Sequence, residues 1–298
     1  MSDQARKKVT VPNLRQRKHK GPKIAAVTAY DATMARLLDE AGVDVILIGD
    51  SLGMVVQGHA HTLPVTVEDI CYHGRAVSSA VRFAHVVGDM PFLSYQVSVK
   101  RAVHNAGKLL QQGGCESVKI EGGVDCAEQV RAIVSAGIPV MGHVGLTPQS
   151  VHAMGGFRVQ GKALDDATRI ENDAVAFEQA GAFCLVIEGV PHELAERITK
   201  RISIPTIGIG ASAACDGQVL VCYDFLGMVR TMQPKFVKRF ANVGDAIVQA
   251  TEAYVREVRD GSFPSPSHCF EVTNRAAPAE SSISAGSRVS AYGPTQDH

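Results

Sequence analysis

The stretch "VDVILIGDS", residues 43–51, decides the fold. Val43 to Ile48 is a short run rich in Val and Ile, the pattern of a strand buried on both faces. One glycine later comes Asp50. The same ending recurs at "FAHVVGD" (Asp89), "ESVKIE" (Glu121) and "FCLVIE" (Glu188). A single acid after a strand is ordinarily a helix N-cap or a loop salt bridge. Four at equivalent places need a common cause.

Outward from this stretch, apolar runs alternate with helical patterns. "IAAVTAY" (24–30) predicts a first strand and "DATMARLLDEAG" (31–42) a helix, with Asp31 as N-cap and Gly42 as its stop. Further strands are expected at 84–89, 116–123, 138–145, 183–189 and 204–211, with an eighth at "GQVLVCYD" (217–224). Helices are expected between them, one opening on Thr66 and Asp69 in capping-box spacing, and helices are expected to fill 236–260. About eight strand–helix units in roughly 250 residues predict an α/β fold, a single-domain (β/α)8 TIM barrel over 24–271. A doubly wound sheet is the alternative. Its GxGxxG fingerprint is missing after the first strand, where "TAYDATM" stands, and "GIGAS" (208–212) is only a late fragment of it. Residues 1–23 read as a basic N-terminal arm, with an organelle transit peptide as the alternative to it, and the Ala/Ser/Pro/Gly-rich stretch 272–298 as a disordered tail.

Composition narrows the function. The 298 residues carry 30 Lys plus Arg against 30 Asp plus Glu, with no Trp. Neither a nucleic acid nor an anionic membrane is the expected partner. No apolar run approaches a membrane span. The 7 cysteines are scattered singly, without a CxxC pair, as expected of small buried hydrophobes in a reducing, cytoplasmic setting.

In a (β/α)8 barrel every strand ends on one face, where active sites lie. Asp50, Asp89, Glu121, His143 and Glu188 all fall at or just past strand ends, so they are expected around one mouth. Clustered carboxylates repel one another and favour a hard divalent cation with oxygen ligands. Asp50, Asp89 and Glu121 are the candidate Mg²⁺ ligands. Lys119, two residues before Glu121, points to the same face and suits a substrate carboxylate. Glu188, on a separate strand, suits a base that enolises an oxo-acid. His143 reads equally as a substrate contact or a structural residue. His59 and His61, in "QGHAHTLPVT", have metal-ligand spacing but sit in a loop that reads as surface or lid. Asp216 and Asp224 read as turn or cap residues, and "GIGAS" as an anion-binding or simple tight turn.

Over roughly residues 9–263 the chain resembles the ketopantoate hydroxymethyltransferases. "TAYD", "GDSLGMVVQG", "TLPVT", "VGDMPF", "SVKIEGG", "PVMGHVGLTPQS", "IGIGA" and "CDGQVLV" stand in that family's order, with "KFVKRFANVGD" and "GSFPSP" following. The resemblance implies a (β/α)8 barrel and a homodecamer. It implies Mg²⁺ on Asp50, Asp89 and Glu121, and substrate contacts from Asp50, Ser51, Asp89 and Lys119. Glu188 would be the proton acceptor. The implied reaction moves a one-carbon unit from 5,10-methylenetetrahydrofolate onto 3-methyl-2-oxobutanoate. Ser212 departs from the family's usual glycine, which predicts a changed loop. A phosphoenolpyruvate mutase or isocitrate lyase type of enzyme uses similar barrel carboxylates, but its "KKCGH"-like loop is missing here. A non-catalytic, metal-stabilised scaffold is the third reading.

Overall fold

The computed structural model describes residues 6–18, 20–230 and 234–270; the tail expected at 272–298 lies outside them. Eight strands form a closed parallel barrel in simple sequence order. They are β1 (Ile24–Thr28), β2 (Val45–Ile48), β3 (His85–Asp89), β4 (Ser117–Glu121), β5 (Val140–Gly145), β6 (Cys184–Glu188), β7 (Thr206–Ile209) and β8 (Gly217–Leu220). β8 closes on β1 with Ile24 opposite Gly217.

Helices precede β1 and follow the strands: α1 (Val11–Gln16), α2 (Ala32–Glu40), α3 (Leu52–Val55), α4 (Val67–Ser78), α5 (Val99–Gln111), α6 (Ala127–Ser135), α7 (Leu164–Gln179), α8 (His192–Arg201), α9 (Cys222–Phe225) and α10 (Val243–Asp260). The local signals behave as expected. Asp31 caps α2 by accepting from Met34 N, and Gly42 beyond it has a φ of +100°. Thr66 and Asp69 form the capping box of α4. Two expectations fail. Cys222 to Asp224 leave the eighth strand and begin α9 instead, where Cys222 N donates to Thr28 Oγ1 of β1. Of 236–260, only the part from Val243 onward is helical.

Two compact units divide between Ile247 and Val248, and all eight strands lie in the first. The second contains the remainder of α10 and a short turn at Pro266–His268. Ahead of that turn, Phe263 packs its ring on Tyr254 of α10 and on His268.

The barrel is filled at its amino-terminal end. Val9 and Leu14 of the arm join Ile24, Val45, Val87, Met141 and Phe183 in one apolar cluster. The arm's charges tie it down. Arg17 pairs with Asp44 at 2.7 Å, Lys8 with Glu116 at 2.8 Å, and Lys18 with Asp216 at 3.0 Å. Asp216 also accepts from Thr206 N, so this buried residue fastens β7 to the arm and is more than a turn residue. Of the cysteines, six are buried and Cys269 is exposed, as small core hydrophobes require for all but the last. No helix among the described residues is long and apolar enough to cross a membrane.

His85 sits at this closed end, its Nε2 2.9 Å from Ser117 Oγ and its ring edge-on to Phe183. Burial lowers its pKa to about 4, with Lys8 helping and Glu116 opposing. The unfolded residue titrates near 6.5. Between those values the unfolded chain binds more protons, so stability falls as pH falls from about 6.5 to 4. The loss approaches about 3 kcal/mol at the lower end. Urea unfolding at pH 7 and pH 4.5 should show a shallower pH dependence for His85→Gln than for the wild type. Identical slopes would remove His85 as the cause.

Candidate active site

The carboxyl ends of the strands bring the predicted residues together. Register does much of this: Asp89 stands opposite Lys119, Glu121 opposite His143, and Gly145 opposite Glu188. Asp50, Asp89, Lys119, Glu121 and His143 are buried, and with Ser51 and Glu188 they line one cavity of about 170 Å³.

Lys119 is the centre of the charge pattern. Its Nζ lies 2.7 Å from Asp89 Oδ1, 3.7 Å from Glu121 Oε1 and 3.2 Å from His143 Nδ1. Burial alone would lower the Lys119 pKa, but Asp89, Glu121 and Asp50 outweigh it and push the ammonium's pKa up. The acids respond unequally. Burial, then repulsion from Asp89 and Glu121, raises Asp50 well above the usual carboxylate range. Burial also raises Asp89, against the pull of Lys119. Glu121 is lowered in spite of burial, because His143, Lys119 and the Gln149 backbone stabilise its charge. His143 Nδ1 lies 3.4 Å from Glu121 and Nε2 3.2 Å from Glu188. Burial and Lys119 depress the imidazole, but the two carboxylates prevail and raise it to about 9. His143 therefore links the acid cluster to Glu188.

Gln149 is the residue that sequence reasoning missed. Its side-chain Nε2 donates to Asp50 Oδ2 at 2.9 Å and to Met90 O at 3.0 Å, while its backbone N donates to Glu121 Oε2 at 3.0 Å. Tyr95 OH completes the girdle through Glu121 O and Gln149 Oε1. Tyr30 OH lies 2.8 Å from Ser51 Oγ and fixes that hydroxyl at the rim. Only the presence of Gln149 in "GLTPQS" marked it, since a neutral amide after a strand carries no charge signal.

The donor set is compatible with a hard cation. Asp89 Oδ1 and Glu121 Oε1 are buried oxygens that face only charged neighbours, Lys119 Nζ for both and His143 Nδ1 for Glu121. Among the described residues, however, no three His, Cys, Asp or Glu side chains stand as a ready-made ligand cluster. Lys119 lies between two of the acids, and Gln149 holds the third. Mg²⁺ suits such a site better than zinc, because it keeps several waters and needs few direct protein ligands.

Other expectations resolve differently. His61 packs edge-on to His152 at a centroid distance of 5.3 Å, and neither His59 nor His61 lines the cavity. Asp224 does line it, so it is more than a cap residue. Ser212 leaves its loop unstrained: it is outside the left-handed region, and its Oγ accepts from Ala214 N. Gly145 is where glycine is required. Its φ is +94°, and a Cβ there would stand 2.3 Å from Glu188 O. Gly145→Ala should therefore cost at least about 1–3 kcal/mol and displace Glu188. A denaturation midpoint equal to wild type, with full turnover, would contradict this.

The sequence model of the ketopantoate hydroxymethyltransferase family matches residues 8–266. The chain belongs to this family. Among its relatives, the 3-methyl-2-oxobutanoate hydroxymethyltransferase of Clostridium novyi (strain NT) is 55% identical over 265 residues, covering 89% of this chain and 96% of that one. The enzyme of the same name from Pelobacter propionicus is 54% identical over 270 residues, covering 91% and 100%. Solved structures share the fold of this ketopantoate hydroxymethyltransferase family member at low identity. 2,3-Dimethylmalate lyase, of the PEP mutase/isocitrate lyase superfamily, aligns with a TM-score of 0.56 at 17% identity, covering 85% of this chain and 86% of that one. Phosphonopyruvate hydrolase in complex with oxalate and Mg²⁺ aligns at 0.57 and 14%, covering 87% and 93%.

Proposed function

We infer that the chain is a 3-methyl-2-oxobutanoate hydroxymethyltransferase of pantothenate biosynthesis, with 5,10-methylenetetrahydrofolate as co-substrate. The observation that carries the reading is the barrel mouth itself. There Lys119 lies between buried Asp89 and Glu121, Gln149 holds buried Asp50, and Glu188 stands beside His143. The high identity to enzymes of that name over nearly their full length supports the substrate.

Asp50, Asp89 and Glu121 would hold Mg²⁺, directly or through its waters. Bound there, the ion would supply Lewis acidity to the oxo-acid and stabilise enolate charge. The oxalate and Mg²⁺ of the phosphonopyruvate hydrolase complex are a two-carbon counterpart of such a pair on the same fold. Lys119 places its ammonium for the substrate carboxylate, and Ser51, Asp50 and Asp89 line the same cavity. Glu188 accepts the C3 proton. His143, 3.2 Å away, fixes the orientation of its carboxylate.

The balance is simple. C3 loses its proton and forms a bond to the methylene carbon as one of the two bridging C–N bonds breaks. Water replaces the other C–N bond and supplies the hydroxyl oxygen. The two hydrogens gained by the folate nitrogens are then the C3 proton and one from water. The products are 2-dehydropantoate and tetrahydrofolate. The family resemblance adds a homodecamer.

Mass spectrometry of the reaction tests this function. Oxo-acid, methylenetetrahydrofolate and Mg²⁺ together should give 2-dehydropantoate, and a chelator should stop it. Cleavage of 2,3-dimethylmalate or phosphonopyruvate instead would move the chain to the lyase and hydrolase chemistry of its structural neighbours.

A further inference from the structure

The cavity of about 170 Å³ that holds the reacting groups is smaller than the roughly 300–1,000 Å³ of drug-sized ligand sites. A small oxo-acid suits it, and a folate needs more room. Such room adjoins it. A second cavity of about 1110 Å³ shares Met54, Phe157, Glu188 and Phe236 with the first.

The second cavity carries one acid and three cations in its lining. Its acid is Glu188, at the end shared with the reaction site. Its cations are Lys23, Arg158 and Lys235. Lys23 is already engaged, its Nζ donating to the carbonyls of Ala214 and Cys215. Arg158 and Lys235 are exposed and make no ion pair among the described residues. Most of the remaining lining is apolar. Phe157 and Phe236 present half-exposed rings, at 51% and 42% exposure, where burial against the core would be the ordinary outcome. Phe236 is seated rather than loose: Gly210, at φ +56°, lets its ring approach so closely that a Cβ there would lie 3.0 Å away.

We propose that this second cavity is the folate subsite, with the pterin and aminobenzoyl rings against Phe157 and Phe236 and the glutamate carboxylates at Arg158 and Lys235. The proposal rests on the hydroxymethyltransferase reading above and deepens it. The chemistry of the ligand matches the lining. The transferable carbon must reach Glu188, which both cavities share, the flat rings need apolar faces, and the anionic end needs cations. Arg158 and Lys235 thereby become specificity residues for the glutamate end and leave the reacting carbon alone.

Equilibrium binding of three probes to the full chain tests this: tetrahydropteroate, which lacks glutamate, tetrahydrofolate, and its polyglutamate. Wild type should bind tetrahydrofolate about tenfold more tightly than tetrahydropteroate, and the polyglutamate more tightly still. In Arg158→Gln/Lys235→Gln these differences should collapse to within about twofold. The single variants should each lose part of the preference, which separates a lost contact from a misfolded protein. A wild type indifferent to the glutamate, or a double variant that keeps the full preference, overturns the proposal. If 2-dehydropantoate still forms in that case, the functional reading stands and the subsite fails. If wild type forms no product and binds none of the three, both fail.

Discussion

Glu188→Gln should lose about 10²–10⁴-fold in turnover, the usual contribution of a positioned general base. The substitution keeps size and shape, and leaves the side chain beside His143 Nε2, which is 3.2 Å from the carboxylate. The acid cluster on β2 to β4 is untouched. Binding of Mg²⁺ and the oxo-acid should therefore persist while turnover falls. Isothermal titration beside steady-state assays separates the two. Near-wild-type turnover would remove Glu188 as the proton acceptor.

Lys119→Met should be the most costly single change to stability. Lys119 is buried with Asp89 at 2.7 Å and Glu121 at 3.7 Å, and removing it strands two buried carboxylates. Breaking a buried ion pair in this way costs about 3–5 kcal/mol. Added Mg²⁺ should narrow the gap, since a second cation relieves the same repulsion. Arginine should not restore oxo-acid binding, because its planar fork does not fit a point-charge site. Denaturation midpoints with and without Mg²⁺ check both statements. A variant within about 1 kcal/mol of wild type would contradict the central place given to Lys119.

The fold was legible because its signals are local and repeated. Val43 to Ile48 runs into Gly49 and Asp50, and the same run-and-acid pattern recurs at three more strands. In a barrel those ends must converge, and they do: one cavity gathers Asp50, Asp89, Glu121 and Glu188. Lys119 was found for the same reason, since period-two geometry puts it on the face of Glu121. What escaped depends on long-range contacts. Gln149 acts by reaching 99 residues back to Asp50, which no periodicity encodes. Asp216 looks like a turn in sequence and becomes a buried anchor only because Lys18 of the arm reaches it. The end of β8 failed for a related reason: Val221 to Tyr223 is apolar enough for a strand, yet Thr28 Oγ1 captures the backbone of Cys222. The place of Lys119 between Asp89 and Glu121 was equally invisible.

The fold is shared with lyases and hydrolases of low identity, so function lives in the side chains at the mouth and not in the barrel. The central claim about those side chains is that they take the C3 proton from an oxo-acid held by acids, Lys119 and a divalent ion. Proton NMR of 3-methyl-2-oxobutanoate in D₂O, with the enzyme and Mg²⁺, tests it most directly. The expected result is loss of the C3 proton signal, stopped by a chelator. A C3 signal that persists with enzyme and Mg²⁺ present, with or without tetrahydrofolate, would contradict it.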